Sequence, residues 1–501
     1  MNDVVHSSVT GESTSAASWL DIARVGVVQA CMGAVVVTVT TTLNRVMVIE
    51  LALPALLPGF LVSLHYLIQM IRPRLGYGAD QAKRFTPWIL GGMTILALGG
   101  VLAALATVWM ASHLALGVVS ALLGFGLIGM GVSACGTPLL VLLSKSVANH
   151  QRATAATAVW IMMIFGFALT SIVSGKFLDP FSFDRLLSVS VGVSILALCL
   201  SSFSMWGLEE RLLKQGGYSL KGVDTAHADQ ASLSKESDHE ASLESTAKAN
   251  SNNFKTSLRL LWRDDQARLF TYFVFTSMLA YSAQDLILEP FAGVVYHFTP
   301  GQTTQLSGTL HASVLMGMLL LAFIGSAWVR GRLGKISTWM MTGCILSALG
   351  MLALCWSGFI ASDAHLIPLS PLLFVLGLGN GLFSIAAIST MMRLSTQTQH
   401  SPEDNPHAVK PGLKMGLWGA AQAVAFGLGG LLGTAASDLA LRVMTSAAGA
   451  YAMVFALEAS VFLTAAFIAW RVKKFNHGEE GQVGYPDGSG ESPTHLTLNA
   501  I

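Results

Sequence analysis

The sequence predicts an all-α polytopic membrane protein of twelve transmembrane helices, arranged as two pseudo-symmetric six-helix halves. Three observations predict it. Of the 501 residues, 53% are hydrophobic and 11% charged, with mean hydropathy +0.60. A soluble domain averages roughly 25% charged residues. Apolar runs of about twenty residues, enough to cross a bilayer as helix, recur along the whole chain. Short motifs also repeat: "RPRLG" at 72–76 returns as "RGRLG" at 330–334, and Trp160 returns as Trp418, both at an offset of 258. "LLGFG" (122–126) and "VLGLG" (375–379) follow in the same order at nearly that offset, as expected of a duplicated unit.

Taken in order, residues 1–24 are polar and are expected to be a disordered cytoplasmic segment. No basic stretch precedes an apolar core there, so the first span is expected to act as the signal. Spans are expected at 25–48, 54–71, 87–109, 114–143, 154–177 and 188–206, which make the first half, 25–206. The second half, 269–472, holds spans at 269–292, 306–328, 338–359, 366–392, 412–437 and 451–470. The runs are too long and too evenly apolar for barrel strands, which are about ten residues and alternate. The fourth and tenth are long enough to tilt. Between the halves, 207–268 contains "DTAHADQASLSKESDHEASLESTAKANSNN". Few large apolar side chains occur there, so a largely disordered cytoplasmic linker is expected, and 473–501 reads as a similar tail. The loops after spans 2, 4, 8 and 10, with the C-terminal flank, hold fifteen Lys and Arg against three on the other side. Both termini are therefore expected in the cytoplasm.

Several function classes are disfavoured. Net charge is +1, which gives no footprint for nucleic acid. The five cysteines all lie in apolar runs without a CxxC pair, so packing roles are expected rather than disulfides or metal clusters. "GFGLIGMG" (124–131) and "GLGNG" (377–381) follow no strand and read as close helix packing, not a nucleotide loop. There is no P-loop, zinc spacing or catalytic triad, and an enzyme is not expected.

The chemistry-bearing residues fall into three groups. Arg72, Arg74, Gly76, Asp80, Lys83 and Arg84 make a basic loop with one acid between spans 2 and 3, echoed by Arg330 and Arg332 between spans 8 and 9. Asp80 would serve as a charged latch on the cytoplasmic face; a solvated positive loop is the plainer alternative. The second group lies in spans 1 and 7: Asn44, Arg45 and Glu50 against Gln284, Asp285 and Glu289. Asp285 and Glu289 share a helix face. If a two-fold axis relates the halves, both spans line a central cavity and Arg45 pairs with Asp285 or Glu289, forming a binding site. The alternative is interfacial: Arg45 is 21 residues beyond Arg24, about 31 Å of helix, so Arg45 and Glu50 would reach the outer headgroups. The third group is His65 and His311, the histidines well inside spans. Each is either a hydrogen-bonding packing residue or a magnesium ligand for a chlorin, with His65 preferred. Glu458 in span 12 is either a site residue or a partner of a polar residue such as Gln422.

"LNRVMVIEL" (43–51), "LHYLIQMIRPRLGYGADQAKRFTPWILGG" (64–92), "QDLILEPFAG" (284–293) and "LWGAAQ" (417–422) together resemble the PucC/LhaA family, the bacteriochlorophyll-delivery members of the major facilitator superfamily. The resemblance covers about residues 20–475 and is closer to the LhaA-like branch. Ala292 departs from it, standing where a second glycine is expected, and so does the long linker. The resemblance implies a light-harvesting complex assembly factor in the intracytoplasmic photosynthetic (inner) membrane. It implies bacteriochlorophyll as the bound or carried pigment. It also implies antenna polypeptides, and further the reaction centre, as partners alongside membrane lipids. On that reading the polar groups of spans 1 and 7 hold the pigment's keto and ester oxygens. The competing expectation is a secondary transporter moving a small solute by alternating access, with Asp285 or Glu289 coupling protons.

Overall fold

The computed structural model describes residues 18–72, 84–147, 152–215, 262–324, 336–360, 367–396 and 411–482. Among the described residues, twelve helices form two sets of six. They are α1 (Trp19–Val37), α2 (Leu56–Ile68), α3 (Thr86–Met110), α4 (Leu114–Ser146), α5 (Arg152–Leu178) and α6 (Phe183–Met205), then α7 (Asp265–Tyr296), α8 (Pro300–Ile324), α9 (Ile336–Phe359), α10 (Leu369–Thr396), α11 (Pro411–Val443) and α12 (Ala447–Gln482). Ten of the described helices are long and apolar enough to cross a membrane. The other two have physical reasons to fall short. The apolar α2, with its closing 3-10 turn, ends at Ile71 and is shorter than a bilayer helix. The 32-residue α7 carries Asp265, Arg268, Asp285 and Glu289.

Helix pairings repeat between the halves. In the first, α3 packs on α4 and α6, α1 on α5 and α6, and α2 on α4. In the second, α9 packs on α10 and α12, α7 on α11 and α12, and α8 on α10. Adding six to each first-half number gives the second-half set. The contacts between halves obey the same rule, α2 with α11 and α8 with α5. Two apolar cores result, one per half, with Leu286 of α7 in the first core and Ile164 of α5 in the second.

The glycine strings pack helices, as expected from sequence. A Cβ on Gly99 would lie 2.8 Å from the Ile128 backbone nitrogen, and one on Gly379 would lie 2.6 Å from that of Ser347. Only Gly brings backbones this close. The five cysteines are free, and four are buried.

Three expectations need correction. The first span runs from Trp19 to Glu50, because its start is capped at Ser18, whose hydroxyl accepts from the Asp21 N–H at 3.2 Å. The expected linker is helical at its edges, Leu208–Gln215 and from Asp265, and the rest of it lies outside the described residues. The first edge is amphipathic, and Glu209 caps α3 by accepting from the Phe85 and Thr86 N–H groups at 2.6 and 2.9 Å. The expected tail begins inside α12, which continues to Gln482.

Candidate functional site

The first helix does not stay α-helical. After Val37 it widens into π-helical turns at Thr38–Leu43 and Val46–Glu50. The threonine run is the local cause. The hydroxyls of Thr38, Thr40 and Thr41 donate back to the carbonyls of Ala34, Val36 and Val37 at 2.9, 3.1 and 2.8 Å, competing with the backbone ladder. Such turns collect at functional sites. The extra width lets Thr42, Asn44 and Arg45 all reach the second half.

Asn44 is 1% exposed and donates from Nδ2 to the Leu286 carbonyl at 2.8 Å. That carbonyl is available because Pro290, inside α7, has no N–H to return to the residue four before it. Thr42 meets Thr304 of α8, oxygen to oxygen, at 3.2 Å. Arg45 is 3% exposed, so it is buried rather than turned out to headgroups. Its guanidinium forms an ion pair with Glu50 of its own helix and donates to the Phe298 carbonyl at 2.9 Å. The expected partnership with Asp285 or Glu289 is thus replaced by Glu50, because the π turns carry Glu50 around to the guanidinium.

Glu289 is nevertheless next to this group. It is fully buried, within electrostatic reach of Arg45 and beside the hydroxyls of Thr41, Thr303 and Ser307, with no closed hydrogen bond at either oxygen. The Arg45 Nε is also without a partner. Gly293 makes room for Ile49 and the guanidinium, since a Cβ there would overlap the Ile49 Cδ1 and lie 3.3 Å from Nη2. Two non-glycine residues with left-handed backbone, Ala52 (φ 49°) and His297 (φ 56°), bracket the group. Each costs about 1–2 kcal/mol and marks a site held by its surroundings.

Asp285 belongs to a second, deeper layer. It lies 11 residues before the end of α7, and Glu458 lies 11 after the start of α12. Both are therefore about 16 Å from those ends. Asp285 is within electrostatic reach of Glu458, Tyr281 and Tyr66. Glu458 is 4% exposed with neither oxygen hydrogen-bonded, so a bond to Gln422 is not made. Gln284 is 1% exposed and lies next to the Asp285 carboxylate, with no closed hydrogen bond at either amide atom. Aromatic faces line the same level: Tyr66 stacks on Phe426 at 5.1 Å, and Tyr281 meets Phe426 edge-on at 5.9 Å. The spans 1 and 7 set thus separates into an arginine-bearing layer and an acidic, aromatic one. Tyr66, Tyr281 and Phe426 were not singled out from sequence, where aromatic residues in spans look like ordinary packing.

The two histidines differ in what they leave free. Arg72 donates to the Gln69 amide oxygen. The Gln69 nitrogen therefore faces His65 Nε2, 2.8 Å away, and donates to it. That uses the His65 lone pair. In His311, Nδ1 contacts the Ser307 carbonyl at 2.8 Å; a carbonyl only accepts, so Nδ1 carries the proton and Nε2 keeps the lone pair. Both histidines are 2% exposed, and Phe167 of the other half stands edge-on to His311 at 5.2 Å. Of the two expected ligand candidates, it is His311 that keeps a ring nitrogen without a hydrogen-bond donor against it.

Of the expected gating loop, Arg72 closes α2 and Arg84 is exposed before α3. Arg74, Gly76, Asp80, Lys83, Arg330 and Arg332 lie outside the described residues. No cluster of three metal-ligating side chains occurs among the described residues.

Residues 42–476 match the family described as PUCC protein. The chain is 41% identical over 451 residues to the "Bacteriochlorophyll synthase 44.5 kDa chain" of Rhodobacter capsulatus, covering 90% of this chain and 95% of that one. It is 28% identical to "Protein PucC" of the same organism, over 91% and 92% of the two chains. Among solved structures, a bacterial homologue of the human drug peptide transporters PepT1 and PepT2 superposes with TM-score 0.61 at 13% identity, over 92% of this chain and 99% of that one. The xylose transporter XylE from E. coli does so with TM-score 0.59 at 14% identity, over 90% and 97%. At these identities the likeness is one of fold, the two-half transporter bundle.

Proposed function

The chain belongs to the PUCC protein family, and from that we propose that it is a non-enzymatic assembly factor. It binds or delivers bacteriochlorophyll to light-harvesting antenna polypeptides in the photosynthetic membrane, with both termini cytoplasmic. The observation that carries this reading is the match along nearly the whole chain to relatives whose names refer to bacteriochlorophyll synthase and PucC.

Several buried groups supply chemistry that such a pigment would use. Its ring carbonyls accept hydrogen bonds and its magnesium takes a nitrogen ligand. Buried donors without a closed hydrogen bond are at hand in Arg45 Nε and Gln284 Nε2, and the His311 lone pair is free. Tyr66, Tyr281 and Phe426 offer flat apolar faces. Gln284 and Arg45 would orient the macrocycle through its carbonyl groups, and His311 would hold the metal. The test is an absorption spectrum of the protein purified gently from a phototrophic host, with a gel of what accompanies it. Bound bacteriochlorophyll and small antenna polypeptides are expected, and His311→Leu should lose pigment where His65→Leu retains it. A colourless, partner-free protein from antenna-making cells would overturn the reading.

A second reading has its own observation: the acidic layer of Asp285 and Glu458 sits in a bundle built like solute transporters. On it the protein moves a small solute by alternating access. Asp285→Asn should then abolish proton-coupled uptake into vesicles, and unchanged uptake would exclude Asp285 as the coupling group.

A further inference from the structure

Two carboxylates join the halves at the end of the bundle opposite the start of α1 and the end of α12. Asp179, which follows α5, accepts from the Thr299 hydroxyl at 2.8 Å and from the Gly301 N–H at 3.2 Å. Asp438, near the end of α11, accepts from the Ala55 and Leu56 N–H groups at 2.9 and 2.8 Å. Each carboxylate therefore sits on the first turn of a helix in the other half, α8 in one case and α2 in the other. The first N–H groups of a helix have no partner within it, and the helix dipole favours negative charge there.

The two arrangements are related by the repeat. α5 corresponds to α11 and α8 to α2, and the aspartates stand 259 residues apart, one residue from the offset of the sequence repeat. Both are half-buried. At the α8 cap, Thr299 and Gln302 also bond reciprocally: the Thr299 N–H donates to the Gln302 amide oxygen at 2.9 Å, and the Gln302 N–H donates to the Thr299 hydroxyl at 3.2 Å. Packing is close beneath both caps, against backbone at α8 and against a threonine side chain at α2. A Cβ on Gly175 would lie 2.6 Å from the Gly301 carbonyl oxygen, and one on Gly59 would lie 2.9 Å from the Thr434 Cβ.

We propose that Asp179 and Asp438 are paired latches that hold this end of the inter-half interface closed, so that the polar layers of α1 and α7 are reached from that side only when both release. Each half has its own apolar core, so the halves can part as bodies. Parting here also breaks the Thr42–Thr304, Asn44–Leu286 and Arg45–Phe298 bonds. The latches lie on α5–α8 and α2–α11, the two helix pairs that make the main contact between the halves. The inference stands on the fold and holds for pigment and solute alike, so its failure would leave the pigment reading standing.

The test is a buried reporter. Thr304→Cys is introduced with Cys199→Ser, since Thr304 is 1% exposed and Cys199 is the exposed native cysteine. A bulky, membrane-impermeant maleimide is added to each side of sealed vesicles in turn. The reporter should be slow to react while both aspartates are present. Asp179→Ala or Asp438→Ala should each speed labelling from the latch side about tenfold, and the pair about a hundredfold, because both act on one closed state. An unchanged rate in the double variant would overturn the proposal. Ser347→Cys, 0% exposed between α9 and α10, serves as the control. It should stay slow, and equal acceleration of both reporters would mean general unfolding and also overturn the latch. If the alanine pair does not accumulate, Asp179→Asn with Asp438→Asn removes the charge but keeps an acceptor. An intermediate rate is expected from it, and the wild-type rate would sink the idea.

Discussion

Asn44 and Pro290 show how two unremarkable residues become one device. Pro290 removes a donor from α7 and strands the Leu286 carbonyl; Asn44 comes from the other half to satisfy it at 2.8 Å. Asn44→Leu should therefore cost about 1–3 kcal/mol, the penalty of an unpaired buried acceptor. Pro290→Ala added to it should recover most of that loss, because the new N–H can rejoin the Leu286 carbonyl. Denaturation midpoints of the four proteins in one detergent make the cycle; additive losses would disprove the coupling. The relation was half legible in sequence. "LNR" and "LEP" were both conspicuous, and counting four back from the proline leads to Leu286. What sequence did not carry was that the donor would come from the first half. Arg45 teaches the same lesson in reverse. Its need for a carboxylate was legible, but the choice of Glu50 depended on the π turns. Arg45→Ala should lower antenna assembly while the protein still inserts, and normal antenna absorbance in that variant would remove Arg45 from the site.

At the scale of elements, apolar run length located the spans, since a helix must satisfy its backbone polar groups internally to lie in lipid. The failures were at edges. Caps and amphipathic turns such as Glu209 on α3 use polar residues that read as linker. The glycines also sort by element. Gly381 of α10 faces the α8 backbone, where a Cβ would lie 2.8 Å from the Met318 nitrogen, while Gly91 of α3 has nothing within 4 Å. Gly381→Val should destabilise by about 1–3 kcal/mol through forced separation of the helices, whereas Gly91→Ala should be neutral or slightly stabilising by its helix propensity. Thermal unfolding of the two variants decides it; equal shifts would mean that the packing argument is wrong.

At the scale of the molecule, two cores joined by a polar seam predict that the halves associate without a covalent link. Residues 1–215 and 262–501, produced together as separate chains, should co-purify and restore whatever pigment or client binding the whole chain shows. Recovery of each half alone would mean that the linker, and not the seam of inter-half bonds, holds the molecule together. By itself the sequence determined the membrane class, the twelve spans, the duplication and the polar residues of spans 1 and 7. Those follow from local composition, from the length of a bilayer and from comparison of the chain with itself. Only the tertiary structure decided which polar groups meet. It paired Arg45 with Glu50, put Asp285 within electrostatic reach of Glu458, tied up the lone pair of His65, and placed Asp179 and Asp438 on helices of the opposite half. The His65 contact is made by Gln69 one turn along the same helix, and the Arg45 contact by Glu50 on the π turns of its own helix; the others depend on helix rotation and on contacts between residues more than a hundred positions apart, which no local pattern encodes.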